Sequence, residues 1–190
     1  MTESELVEGV LLKRETAYKE LVQKYQKQVI NTCFHFLGNY EDAQDIAQDV
    51  FIEVYESIEK FRKESKLSTW IYRIAVNKSL NYLKVINRRK WVKSIESFFG
   101  KETNETQNVS AYQSDMPNNN LISDERRQIL QNALNKLPEN QKIAFTLNKY
   151  DELSYQQIAE IMQTSLSAVE SLIHRAKTNL QKHLINYYNL

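Results

Sequence analysis

Hydrophobic positions recur along this chain at intervals of three and four residues, the spacing of one face of an α-helix. Tyr18, Leu21, Val22, Tyr25, Val29 and Ile30 predict an amphipathic helix, and Gly38 is placed to end it in a left-handed cap. From Glu41 to Lys60, Ala43, Ile46, Ala47, Val50, Phe51, Val54, Tyr55 and Ile58 predict a second helix, with its acids on the other side. Asn39 or Tyr40 precedes its Glu-Asp first turn, which suits the positive end of the helix dipole. Ser68 is expected to cap a third helix, with Leu67 before it as a staple and Trp70, Ile71, Ile74, Ala75, Leu80, Leu83 and Ile86 along it. Further on, Leu130, Ala133, Leu134 and Leu137 form one apolar face that stops before Pro138. Glu139 to Tyr150 follows, with Ile143, Ala144, Phe145 and Leu147. Ser154-Tyr-Gln-Gln157 has capping-box form and opens a helix that buries Ile158, Ala159, Ile161 and Met162. After a break at Gln163-Thr-Ser165, the last helix buries Val169, Leu172, Ile173, Ala176, Leu180 and Leu184. The predicted fold is all-α.

Composition agrees. Three glycines and two prolines in 190 residues are too few for the hairpin turns of a β-sandwich or for a glycine-rich phosphate loop. With 42% hydrophobic and 26% charged residues the chain is globular. No stretch approaches the ~18 apolar residues of a membrane span, and the acidic start Met1-Thr-Glu-Ser-Glu predicts no secretory signal. A single cysteine, Cys33, excludes an internal disulfide and a cysteine-based zinc cluster, so a reducing, cytoplasmic compartment is expected. His35, His174 and His183 show no catalytic pairing and no metal-ligand spacing. No catalytic residue, metal, cofactor or small-molecule substrate is expected.

The formal net charge of +1 conceals an organised distribution. Glu41 to Glu59 carries seven acids and no base, whereas Lys60 to Lys93 carries eleven bases and one acid. Two such blocks side by side suggest two different partners. The segment from Ser94 to Asn120 is rich in Asn, Ser, Thr and Gln and lacks periodicity, as a linker does; Phe98-Phe99 is its one apolar spot. The expected organisation is two small helical domains, 1–93 and 122–190, joined by a flexible linker at 94–121.

In the second domain two helices meet across a tight break between Tyr155 and His174, the helix-turn-helix arrangement. Small Ala159 falls where the helices approach and Val169 where the second plugs the core. Gln163 takes the turn position that glycine usually holds, at some left-handed strain. A plain helical hairpin with no DNA role would share this pattern.

Five motifs together resemble the sigma-70 family of bacterial RNA polymerase initiation factors, in its short extracytoplasmic-function (ECF) group. They are Asn39-Tyr-Glu-Asp-Ala-Gln-Asp-Ile-Ala-Gln-Asp-Val-Phe51, Leu67-Ser-Thr-Trp-Ile-Tyr-Arg-Ile-Ala-Val-Asn77, Leu134-Asn-Lys-Leu-Pro-Glu-Asn-Gln141, Ile158-Ala-Glu-Ile161 and Ser165-Leu-Ser-Ala-Val-Glu-Ser-Leu-Ile-His-Arg-Ala-Lys177. The resemblance implies a region 2 bundle and a region 4 helix-turn-helix. It implies no catalysis, but promoter specificity lent to core RNA polymerase and help in opening DNA. Asp45, Gln48, Asp49 and Glu53 would dock the polymerase clamp; without the resemblance they read equally as a solvated face. The loop from Lys60 to Leu67, with Phe61, Arg62, Lys63 and Lys66, would capture a flipped base of the −10 element. Trp70, Arg73, Asn77, Asn81 and Lys84 lie on the following helix, and Arg88, Arg89 and Lys90 would hold phosphates. Trp70 reads equally as a core residue, and the three bases as a solvated helix end. Phe61, Trp70, Tyr72, Tyr82 and Trp91 interleave the cations, and rings among cations suit stacking on exposed bases.

The last helix would enter the major groove at the −35 element with Ser165, Ser167, Ala168, Glu170, Ser171, His174 and Arg175 towards bases, and Lys177 and Lys182 on phosphates. Glu170 and Leu172 depart from the family, where many relatives carry Lys and Arg; Glu170 can accept from a cytosine amino group or pair with His174. Ser94 to Asn120 reaches ~90 Å fully extended, enough to span promoter elements about two DNA turns apart. The family also implies an anti-sigma partner, and a compact free form in which the two domains mask each other's DNA surfaces is expected. A polymerase-independent helix-turn-helix regulator would explain only the second domain and predicts a dimer on a palindromic site. An all-helical adaptor would leave the basic block unexplained.

Overall fold

The computed structural model describes residues 1–98 and 121–188. The elements are α1 (Glu3–Leu11), α2 (Glu15–Leu37), α3 (Tyr40–Ser57), a 3₁₀ turn (Ile58–Lys60), α4 (Leu67–Phe98), α5 (Leu121–Asn135), α6 (Glu139–Lys149), α7 (Tyr155–Met162) and α8 (Leu166–Tyr188). The described residues contain no strand, and the fold is all-α.

Helix α1 has no counterpart among the elements read from the pattern. Thr2 and Glu5 form a capping box around its start, and Leu6, Val7 and Val10 enter the core. It lies so close on α2 that a Cβ at Gly9 would stand 2.4 Å from that of Ala17. Helix α2 ends at Gly38, as expected: φ is 74° and the amide donates to the Phe34 carbonyl at 2.8 Å. Asn39 caps α3, its side chain accepting from the Asp42 amide at 3.0 Å. Helices α2, α3 and α4 then close around Leu21, Val29, Ile46, Val50, Phe51, Val54, Ile71 and Ile74.

Helix α4 departs from expectation at both ends. It begins at Leu67 rather than after Ser68. Leu67 is fully buried as the first helical residue, and its amide donates 2.7 Å to the Glu3 carboxylate of α1. A carboxylate 64 residues away in sequence does the work expected of the serine. At its C-terminal end α4 continues through Phe98, so residues 94–98 of the expected linker are helical backbone. Residues 99–120 of that linker lie outside the described residues.

In the second half Ser154 and Gln157 form the expected capping box at the start of α7, with hydrogen bonds of 3.3 and 2.9 Å. Gln163 takes the left-handed turn between α7 and α8, at φ 53° and ψ 47°. Helices α6, α7 and α8 share an apolar centre, and α5 packs on α8.

The two halves touch. Phe36 of α2 and Val76 and Leu80 of α4 share one apolar cluster with Ile143, Leu147, Ile158, Val169 and Ile173 of the second half. Around it, the Lys142 ammonium of α6 is buried and donates to the Phe36 carbonyl at 3.3 Å and to Asn135 Oδ1 at 2.8 Å. Burial pushes that ammonium down to about 8.

Candidate nucleic-acid interface

Three surfaces carry the residues singled out in the sequence. The first is the outer side of α3. Asp45, Gln48 and Asp49 are exposed there in consecutive turns, with exposed Ile52 beside them. Glu53 instead leans onto α4 and pairs with Lys78 at 2.9 Å.

The second surface is a cavity of about 380 Å³ between the 60–66 loop, α4 and the end of α7. Lys60, Arg62, Trp70 and Arg73 line it. Trp70 is half-buried, serving the core on one side and the cavity on the other. Phe61 is mostly core: it is 9% exposed and its ring stands 5.5 Å from that of Trp70, supporting it from below. Lys63 holds a left-handed turn at φ 58° and reaches Ser4 of α1 at 3.3 Å, while Arg62 and Lys66 are exposed.

Along α4, Asn77, Asn81, Arg88 and Arg89 are exposed. Lys84 is exposed but paired with Glu139 of α6 at 3.1 Å. The side chains of Lys90 and Trp91 lie outside the described residues. Two of the interleaved aromatics face inward rather than towards a ligand. Tyr82 donates to Asp42 at 2.7 Å, and Tyr72 packs against the second half, where burial and then the Asp151 charge push its phenol up to about 12.

The third surface is α8. Ser165 caps it, accepting from the Ala168 amide at 3.2 Å, with the Ser167 hydroxyl 3.1 Å away. Ser167, Glu170, Ser171, His174, Arg175 and Lys182 are all exposed on one broad face, and Ala168 is half-buried at its edge. Lys177 is exposed beside an open apolar groove lined by Leu130, Phe145, Leu180 and Leu184.

The halves therefore mask each other unequally. Arg73 of α4 donates to the Glu160 carbonyl at 2.9 Å and the Ile161 carbonyl at 3.3 Å, at the C-terminal end of α7. Glu160 and Gln163 also wall the cavity. The side of α8 that carries Ser167, Glu170, Ser171, His174 and Arg175 stays open to solvent, contrary to the mutual masking expected, because the second half closes with α6 and α7 rather than with α8. Nothing in the local pattern around Glu160 marked it as a neighbour of Arg73. Among the described residues, no three His, Cys, Asp or Glu side chains come together as a metal site would require, and no helix is long and apolar enough to cross a membrane.

Residues 21–89 match the family described as Sigma-70 region 2, and residues 127–180 match Sigma-70, region 4. The chain belongs to the sigma-70 family. It is similar to the ECF RNA polymerase sigma-E factor of Haemophilus influenzae, at 36% identity over 97% of this chain and 96% of that protein. Against the ECF RNA polymerase sigma-E factor of Escherichia coli strain K12 the identity is 34%, over 93% and 91%. Against the RNA polymerase sigma-H factor of Pseudomonas aeruginosa it is 31%, over 96% and 93%. In shape it resembles CnrH solved with the cytosolic domain of CnrY, with a TM-score of 0.67, 17% identity and coverage of 98% and 99%. It also resembles the sigma factor RpoE solved with the anti-sigma factor NepR from Bartonella quintana, with a TM-score of 0.60, 20% identity and coverage of 88% and 96%. At those identities the likeness concerns the fold. The relatives place this sigma factor in the ECF group.

Proposed function

We propose that this sigma factor binds bacterial core RNA polymerase through α3, reads the −10 element at the α4 cavity and the −35 element with α8, and assists promoter melting. It acts in the cytoplasm, catalyses no reaction itself, and is restrained by an anti-sigma protein. Its domains are residues 1–93 and 122–190, with the linker between. One observation carries the reading. The two matched regions occur in order on one chain, and each presents an exposed face of the chemistry its role needs.

Each face fits its task. Asp45, Gln48 and Asp49 offer a carboxylate-rich stripe to a basic partner. At the cavity Lys60, Arg62 and Arg73 can hold phosphates while the Trp70 ring stacks on an unpaired base. Stacking is worth about 1–3 kcal/mol per base, comparable to the few kcal/mol needed to extrude one. On α8, Glu170 presents a carboxylate that can accept from a cytosine amino group, with Arg175 beside it for a guanine edge or a phosphate.

The test mixes the purified chain with core polymerase and runs size exclusion at about 0.15 M salt, where exposed charges are partly screened. Asp49→Lys runs beside it. The parent co-elutes, and the variant binds at least about tenfold more weakly, as charge reversal in a complementary interface demands. A parent that fails to co-elute, and as a dimer shifts duplex DNA alone, overturns the reading in favour of a polymerase-independent regulator.

A further inference from the structure

The helix-turn-helix keeps its cations away from its leading turns. From Asp151 to His174 it carries four acids, Asp151, Glu152, Glu160 and Glu170, and no lysine or arginine. The cations begin only at Arg175, followed by Lys177 and Lys182. Lysine and arginine on phosphates supply the sequence-independent part of DNA affinity. The leading turns of α8 bring no such grip of their own, so what they add has to come from the bases.

Burial decides which side chains those turns offer. Val169 and Ile173 enter the apolar centre shared with α6 and α7. On the other side two ridges at i, i+4 spacing stand in solvent: Ser167, Ser171 and Arg175 form one, Leu166, Glu170 and His174 the other. The second ridge holds two side chains that a phosphate would not attract. Leu166 is 44% exposed at the first position of the helix, directly after the Ser165 cap. One turn on, the Glu170 carboxylate has no hydrogen bond or ion pair among the described residues.

In a major groove each of these accepts only part of the base code. A leucine gains by covering the thymine methyl, the apolar group of the groove. A carboxylate can only accept. It gains opposite the amino group of cytosine, but guanine presents two acceptors and thymine one, and adenine sets an acceptor beside its amino group. A carboxylate stripped of water without a donor is an unpaired charge, which costs more than a lost hydrogen bond. Leu166 and Glu170 stand ~6 Å apart along the axis at ~1.5 Å per residue, within two base-pair steps of ~3.4 Å.

We infer that Leu166 and Glu170 set the −35 preference of this factor as a pair: Leu166 covers a thymine methyl, and Glu170 accepts from a cytosine amino group within two base pairs of it and rejects the other bases there. The inference rests on the assignment of α8 to the −35 element and gives that assignment a sequence chemistry. Glu170 works mainly by exclusion. A glutamine in its place keeps an oxygen for cytosine and gains donors for the other bases, so the wrong sites improve more than the right one weakens.

The test uses polymerase holoenzyme assembled with the parent, with Glu170→Gln or with Leu166→Ser. Promoter duplexes carry each of the four bases in turn at every −35 position. A second set replaces each thymine by deoxyuridine, which removes the methyl alone. Affinities are compared as ratios between sites within one protein, which partial unfolding of a variant does not move. The parent is expected to prefer cytosine at one position by about 5- to 150-fold, the usual effect of one base pair. It loses about fourfold on one deoxyuridine replacement nearby, the effect of one buried carbon. In Glu170→Gln the cytosine preference drops at least about fivefold through tighter binding of the other bases, and the deoxyuridine effect stays. In Leu166→Ser the deoxyuridine effect disappears and the cytosine preference stays. A parent that reads the −35 element with a cytosine preference unmoved by Glu170→Gln, or a deoxyuridine effect unmoved by Leu166→Ser, overturns the inference and leaves α8 as the reader. So does a Glu170→Gln variant that weakens all four bases alike, as loss of a merely structural residue would. A parent indifferent to every −35 position overturns the inference and the assignment of α8 together.

Discussion

Lys142 is the residue whose surroundings depart furthest from its chemistry. The residue is 5% exposed and its ammonium donates to the last turn of α2, whose carbonyls favour a cation there. Burial nevertheless outweighs this and lowers its pKa from 10.5 to about 8. The native state therefore gives up this proton more readily than the unfolded chain does. Below about pH 8 both states hold the proton and the cost of charging a buried amine is present in full. As pH rises from about 8 towards 10.5 the native state loses it first, and stability increases by on the order of 3 kcal/mol at 1.36 kcal/mol per pKa unit. The tyrosines act in the opposite sense but later: burial raises Tyr18, Tyr25, Tyr72 and Tyr150, so their contribution is lost only as pH climbs past 10. Urea unfolding of the parent and of Lys142→Met at pH 7.5 and 9.5 isolates the lysine. The parent gains stability between the two values and the variant does not. Equal gains in both would mean that Lys142 is hydrated in solution.

Among the elements, α1 is short but braces the cavity proposed for the −10 element. Its Glu3 caps the first turn of α4, and its Ser4 accepts from Lys63 in the loop. Its position depends on Gly9, where an added Cβ would meet Ala17 at 2.4 Å. Gly9→Ala gains about 1 kcal/mol of helix propensity but forces two backbones apart, and overpacking costs about 1–3 kcal/mol. The overlap is between Cβ atoms with no torsion to relieve it, so strain wins. A melting temperature lower by about 2–8 °C is expected, with increased proteolysis in the 60–66 loop. An unchanged melt with an intact loop would show that α1 does not position it.

These helices also show what the sequence made legible. Gly38, Asn39, Ser154 and Gln163 stand where the pattern puts them, because each acts within a few residues of itself. The start of α4 was misread because its cap comes from Glu3, which no local pattern links to Leu67. Helix α1 was missed although its capping box, Thr2 and Glu5, stands in the sequence; its apolar residues are too few to establish a period. Of the candidate site, exposure of Asp45, Asp49, Ser167, Glu170 and His174 follows from helical phase alone. The burial of Phe61 and the pairing of Glu53 with Lys78 depend on tertiary packing, which sequence spacing does not encode.

At the scale of the whole molecule, α4 joins everything. One face supplies Ile71 and Ile74 to the first core, and Val76 and Leu80 turn towards the second half. Its cations run along the remaining side, so the helix that joins the two halves is also the one proposed to meet DNA. In the proposed role, DNA would draw Arg73 and Lys84 away from their partners in the second half. Each cation released onto single-stranded DNA steepens the dependence of log affinity on log salt by about 0.7. Between 0.05 and 0.2 M salt, a Glu139→Ala variant, which frees Lys84, is expected to bind a single-stranded oligonucleotide with a slope steeper than the parent's by up to about 0.7. Identical slopes would mean that Lys84 is already available in the parent.

The two bonds from Arg73 to the end of α7 have a consequence for the cell. A chromosome offers on the order of 10⁶–10⁹ places where a basic helix can settle without regard to sequence. A factor with all its cations bared would be diluted across them and seldom meet the enzyme it serves. With Arg73 folded onto the backbone of α7 and Lys84 paired with Glu139, the unaccompanied molecule would offer random DNA fewer cations than its sequence carries. Polymerase, by prising the halves apart, would hand it a grip on DNA only where that grip can start a transcript.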